Sequence, residues 1–236
     1  MPARDRLICA LDTPSLERAV ALAHDLAGAV GALKLGLEFF TAQGPAGVRR
    51  VAACGLPLFL DLKLHDIPNT VAGAVRAALE LPVAMLTLHA QGGAAMLEAA
   101  AEARAAAGRP EVRLLAVTLL TSLDEADLAR MGAPGRVEER VARLAELALR
   151  SGIDGLVCSP GEVAMLRARF GPKPLLVVPG IRPQPQADDQ KRTATPEAVL
   201  AAGADRLVVG RPITRARDPR AAAEALLAVL EGGQKR

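Results

Sequence analysis

Short apolar runs alternate along the chain with longer stretches in which apolar residues recur every three or four positions. The runs occupy residues 7–11, 32–36, 58–63, 84–89, 113–118, 155–159, 175–180 and 206–210. Their brevity and near-continuous hydrophobicity predict strands of a parallel sheet buried on both faces. Helical periodicity runs through 15–26, 71–81, 94–107, 137–150, 162–170 and 219–230. Capping residues followed by proline mark helix starts at Thr13-Pro14, Ser159-Pro160, Thr195-Pro196 and Asp218-Pro219. Strand then helix, repeated eight times without a linker, predicts an α/β fold: a single-domain (β/α)8 barrel over residues 1–236. An open doubly wound sheet is the alternative. Against it, Cys9-Ala10-Leu11-Asp12-Thr13-Pro14 stands after the first strand, where a dinucleotide-binding fold places Gly-x-Gly-x-x-Gly.

In a barrel the chemistry gathers at the carboxyl ends of the strands, and there the polar residues collect. Asp12 ends the first run, Lys34 lies near the end of the second, and Asp61 and Lys63 end the third. His89 ends the fourth; Thr118, Thr121 and Ser122 follow the fifth, Arg182 the seventh, and Gly210-Arg211 the eighth. Strand alternation puts Phe59, Asp61 and Lys63 on one face and Leu60, Leu62 and Leu64 on the other. A carboxylate and an ammonium buried unpaired would cost several kcal/mol, so a site for a charged ligand is expected here. With Asp66, Lys34 and Asp12 they form an alternating set of charges. The alternative is an ion-pair network that only closes the barrel, which fits poorly if the barrel floor stays apolar. His65 reads as a helix-start residue beside the site, His89 as a hydrogen-bonded barrel-end residue rather than a metal ligand, and His24 as a surface residue.

The 236 residues are 51% hydrophobic, enough for a sizeable core. Cys9, Cys54 and Cys158 show no Cys-x-x-Cys spacing and read as reduced packing residues rather than zinc ligands. The net charge of +3 comes from scattered basic residues, Trp and Tyr are absent, and Phe occurs four times. That argues against a nucleic-acid surface and suits a small anion. No apolar stretch reaches the length of about 18 residues that a membrane helix needs. The amino-terminal segment lacks the apolar core of a signal peptide. A cytoplasmic protein with no membrane partner is expected.

The last two strands of a barrel commonly build a phosphate site from backbone amides. Pro179-Gly180-Ile181-Arg182 and Val209-Gly210-Arg211-Pro212-Ile213-Thr214 each supply a glycine and a guanidinium at that place. Singly, either pair could be a helix cap with a surface arginine; together they favour phosphate. Between them a long polar loop over 182–193 has the character of a lid, with Gln190 able to fold onto the phosphate. A plain surface excursion is the alternative.

These residues resemble a known family. Asp61-Leu62-Lys63-Leu64-His65-Asp66-Ile67-Pro68-Asn69-Thr70 is similar to the signature of the orotidine 5′-phosphate decarboxylases. Leu11-Asp12, Lys34-Leu35-Gly36, Leu120-Thr121-Ser122, Pro179-Gly180-Ile181-Arg182, Asp189-Gln190 and the Val209–Thr214 block follow in the family's order. The resemblance implies decarboxylation of orotidine 5′-monophosphate to UMP, with no metal and no cofactor. It implies Lys63 as proton donor to C6, with Asp61 and Asp66 completing the charges beside the orotate carboxylate. Asp12 and Lys34 would hold the ribose, and Thr121 and Ser122 the pyrimidine. Arg182, Gln190, Gly210 and Arg211 would hold the phosphate, with Ile67 and Pro179 also touching substrate. It further implies a homodimer in which Asp66 and Thr70 reach the neighbouring subunit's site. The run Pro183-Gln184-Pro185-Gln186 departs from a glycine-rich lid and leaves its closing motion open.

Two rival readings are the alternatives, and Lys34 decides against the first of them. A related group, the 3-keto-L-gulonate 6-phosphate decarboxylases and hexulose phosphate synthases, shares Asp61, Lys63 and Asp66 but uses Mg2+ and carries an acidic residue where Lys34 stands. The other is a nucleotide-binding barrel without catalysis.

Overall fold

Every strand pairs in parallel with the one before it, and the last closes onto the first, β1-β2-β3-β4-β5-β6-β7-β8. The computed structural model describes residues 1–182 and 194–232. In order, the elements are β1 (Leu7–Ala10), α1 (Leu16–Asp25), β2 (Ala32–Gly36), α2 (Leu37–Ala52), β3 (Leu58–Leu64), α3 (Pro68–Leu79) and β4 (Met85–His89). Then follow α4 (Ala94–Ala106), β5 (Arg113–Val117), α5 (Glu125–Arg130), α6 (Val137–Arg150), β6 (Gly155–Val157) and α7 (Val163–Phe170). Finally come β7 (Leu175–Val178), α8 (Pro196–Ala201), β8 (Arg206–Val209), α9 (Arg211–Thr214) and α10 (Pro219–Gly232). This is the expected (β/α)8 barrel. No described helix is long and apolar enough to cross a membrane.

Two buried layers hold it together. Ile8, Ala10, Ala32, Phe59, Met85, Leu115, Val177 and Val208 fill the barrel's interior, so it is a packed core and no pore. The opposite strand faces, with Leu33, Leu35, Leu60, Leu86 and Leu88, pack against helix residues such as Val48, Val51, Val71 and Val75. Period-two alternation then decides what stands above the interior layer. Lys34 follows Ala32, Asp61 follows Phe59 and Thr87 follows Met85, each two residues on.

Local chemistry shifts several boundaries. Ser15, not Thr13, caps α1, accepting from Arg18 N at 3.1 Å; Thr13 Oγ1 accepts from Ser15 N at 3.3 Å. The expected caps at Thr195 and Asp218 form, accepting from Ala198 N at 3.4 Å and Ala221 N at 2.9 Å. Helix α3 starts at Pro68, three residues before the expected 71, because a first-turn proline has φ preset and loses no hydrogen bond. Thr70 therefore lies in its first turn. Helix α2 eluded the periodicity because Gly44-Pro45 breaks it: Gly44 at φ 58° joins two helical pieces.

The barrel floor corrects one expectation. Its interior is apolar, but the amino ends of the strands carry a charged cleft of about 600 Å³ lined by Asp5, Arg113, Asp154, Asp205 and Arg206. Asp154 pairs with Arg104 and, at 3.4 Å, with Arg113; Asp205 pairs with Arg167 at 2.7 Å. Each aspartate also accepts a strand amide, Leu114 N or Leu176 N, at 2.8 Å. These are clamps on the sheet.

Candidate active site

At the carboxyl ends the charges are arranged differently. Lys34 Nζ lies 3.3 Å from Asp12 Oδ1 and 3.4 Å from Asp61 Oδ2, and Lys63 Nζ donates to Asp61 Oδ1 at 2.9 Å. Asp12, Lys34, Asp61 and Lys63 thus form a chain of alternating sign, with Asp61 turning one oxygen to each ammonium. Lys34 and Asp61 side chains are each 12% exposed, whereas Lys63 is 31% exposed and reaches into the open cleft.

Asp61 and Lys63 meet, but not through simple alternation. Leu60 is paired with Leu86 and Leu64 with Leu88, so four steps along β3 oppose two along β4. The bulge is taken up at Lys63, whose φ of 51° is the one positive value at a non-glycine position among the described residues. Such backbone is strained for a residue with a Cβ and persists only where surroundings enforce it. Thr87 does so: its Oγ1 accepts from Lys63 N at 2.8 Å and donates to Asp61 Oδ1 at 2.9 Å.

Electrostatics hold the buried pair ionised. Burial would push the Asp61 carboxyl up, but the Lys34 and Lys63 ammoniums, with hydrogen bonds from Lys63 and Thr87, keep it below the usual carboxylate range. Burial would pull Lys34 down, and Asp61 and Asp12 more than offset this, so it is raised. Because the folded Asp61 titrates lower than the unfolded, its contribution to stability is present above about pH 3.9 and is lost as pH falls through the folded value. Lys34 has the opposite sign: its contribution is present below about pH 10.4 and is lost only at higher pH. We therefore expect the melting temperature to fall below about pH 4. In Asp61→Asn that acid slope should be shallower, with lower stability at neutral pH because Lys34 loses its buried partner. An identical slope in thermal melts of both proteins would remove Asp61 from this role.

Two glycines leave room for this array. A Cβ at Gly36 would stand 3.2 Å from Lys34 Nζ, and one at Gly210 would stand 3.4 Å from Asp12 Oδ2. Gly210 caps α9, whose first residue is Arg211. A cleft of about 500 Å³ is lined by Asp61, Lys63, Thr121, Pro179, Arg182, Gly210 and Arg211, among others. Arg182 is buried, and its Nη1 donates to Ile181 O at 2.9 Å. The cleft thus combines a mixed-charge array with a cationic, glycine-bearing segment that adjoins it at Asp12.

Other expected site residues stand apart. Asp66, Ile67 and Thr70 are exposed, and Asp66 Oδ1 accepts from Ile67 N at 2.6 Å instead of joining the array. The reason is position: they lie beyond β3, in the turn and first turn of α3. Ser122 is exposed beyond β5. Gln190 and the loop at 183–193 lie outside the described residues. His65 and His89 stack with ring centroids 5.2 Å apart. Burial, then His65 and Lys63, press His89 down to about 4, so it is neutral at pH 7, and its Nδ1 accepts from Gln91 N at 3.3 Å. Among the described residues, no three His, Cys, Asp or Glu side chains gather as metal ligands.

Sequence reasoning missed Thr87, Glu38 and Arg215, and gave no role to Thr214. The last three line the cleft. Thr87 is a polar residue midway between Met85 and His89 on the inward face of β4, but nothing local in the sequence marks its role.

Comparison with known proteins places the whole chain in one family. Residues 5–226 match the model of the Orotidine 5′-phosphate decarboxylase / HUMPS family. An orotidine 5′-phosphate decarboxylase of Anaeromyxobacter sp. (strain K) is 54% identical over 231 residues, 98% of this chain and 100% of that one. One from Thermobifida fusca is 55% identical over 224 residues, 94% of each chain. The crystal structure of orotidine 5′-phosphate decarboxylase from Lactobacillus acidophilus superposes with a TM-score of 0.81 at 37% identity, covering 95% of this chain and 98% of that one. By near-complete coverage, high identity and a shared barrel, the chain belongs to the orotidine 5′-phosphate decarboxylase family.

Proposed function

We propose that the cleft converts orotidine 5′-monophosphate to UMP without a metal ion or cofactor, and that Lys63 delivers a proton to C6. The overall reaction is the carboxy-lyase step of pyrimidine biosynthesis for which the relatives are named. Breaking the bond from C6 to the carboxylate releases CO2 and leaves the electron pair on C6, where the ring offers no conjugated sink. An ammonium fixed beside C6 offsets that charge as it develops. Its proton then moves to C6, and solvent reprotonates the amine.

The observation that carries this reading is the Asp61 carboxylate shared between two ammonium groups, with Lys63 aimed into the cleft. Lys34 supports the metal-free form, since it stands where the Mg2+-dependent relatives need an acid. Asp12 and Lys34 are assigned to the ribose, Thr121 and Ser122 to the pyrimidine, and Pro179 to the wall beside it. Arg182, Gln190, Gly210 and Arg211 are assigned to the phosphate. Asp66 and Thr70 serve the site of a partner in a homodimer and Ile67 touches substrate; Ile67, 67% exposed, is an apolar side chain that such an interface would cover. A cytoplasmic setting without nucleic-acid or membrane partners completes the proposal.

Loss of orotidine monophosphate absorbance, followed with and without a chelator, tests it. Equal turnover in both is expected; activity abolished by the chelator would favour the Mg2+ chemistry, and no CO2 release would favour a non-catalytic binder. Mixing inactive Lys34→Ala and Asp66→Ala chains should restore part of the activity. No recovery on mixing and refolding would argue that each pocket is built from one chain.

A further inference from the structure

We propose that Thr87 is the positioning residue that sets Lys63 in its left-handed conformation and thereby aims its ammonium at the reacting carbon. The inference rests on the role proposed for Lys63 above.

Thr87 is fully buried on the inward face of β4, and its hydroxyl closes a circuit with two groups of β3. Lys63 N donates to Thr87 Oγ1 at 2.8 Å, Thr87 Oγ1 donates to Asp61 Oδ1 at 2.9 Å, and Lys63 Nζ donates to the same Asp61 oxygen at 2.9 Å. A hydroxyl has one proton and two lone pairs, so it can receive the amide and serve the carboxylate at once. An apolar side chain can do neither. The bulge takes the Lys63 amide out of the ladder with β4 and leaves it needing an acceptor; Thr87 is that acceptor. The same residue orients the carboxylate that grips the ammonium, so the Lys63 backbone is tied to the Thr87 hydroxyl directly and its side-chain head through Asp61. Ordinary strand geometry, with φ negative at Lys63, would break this circuit.

The test compares Thr87→Val, which keeps shape and removes the hydroxyl, with Thr87→Ser, which keeps the hydroxyl. Thr87→Val should lower kcat by about 10²-fold or more, the size expected for a small misplacement of a reacting group, while the dissociation constant for UMP moves less than about threefold. Thr87→Ser should recover most of the loss. Wild-type kcat in Thr87→Val, or equal losses in both variants, would overturn the proposal. Crystal structures decide the same point without turnover. In Thr87→Val, Lys63 should leave the positive-φ region or its ammonium should leave Asp61. If both stay in place the proposal fails, even where the wild type decarboxylates. A wild type inactive on orotidine monophosphate would instead refute the reaction assigned to the site.

Discussion

Replacing Lys63 with alanine should lower kcat/KM by at least about 10⁴-fold, or ~5.5 kcal/mol of barrier, while UMP still binds. Two losses combine. A preorganised charge facing the developing carbanion contributes about 10²–10³-fold, and a positioned proton donor about 10²–10⁴-fold. They are not fully additive, because one group does both. Folding should survive, since Asp61 keeps Lys34 Nζ at 3.4 Å and the Thr87 hydroxyl at 2.9 Å as partners. The variant thus separates chemistry from binding. Turnover by a spectrophotometric assay and UMP affinity by calorimetry check the two halves; turnover within about tenfold of wild type would remove Lys63 from its role.

Arg211→Ala should lower kcat/KM by about 10²–10³-fold, or ~3–4 kcal/mol. The residue opens α9 directly after Gly210 and lines the same cleft as Lys63. A guanidinium contact to phosphate is charge-assisted and among the stronger hydrogen bonds available. Being remote from the reacting bond, it acts on rate only if binding energy there organises the charged residues. A drop in kcat as well as a rise in KM is therefore expected. An effect confined to KM would mean that the phosphate end only captures substrate. Unchanged kcat/KM would overturn the phosphate assignment.

Much of this was legible along the chain because burial and charge leave strong one-dimensional traces. Eight apolar runs gave eight strands, since strands covered on both faces must be hydrophobic throughout. Charged residues at the ends of such runs marked the mouth for the same reason: Asp61 and Lys34 are too costly to bury without each other. Three features were hidden. The bulge at Lys63 depends on the register of β3 against β4, a pairing between distant segments with no local signature. Thr87 looks like an ordinary strand residue until its hydroxyl is seen between Lys63 N and Asp61. The clamps at the amino ends join Arg104 to Asp154 and Arg167 to Asp205, partners far apart in sequence. The place of Asp66 and Thr70 is a different matter: on one chain they are simply exposed.

A crystal structure with UMP bound measures the central quantity, the separation between the Lys63 ammonium nitrogen and C6 of the base. The account predicts contact, about 3–3.5 Å, the range in which a proton can pass directly. A separation beyond about 5 Å, with no rearrangement of β3 that closes it, would contradict the account.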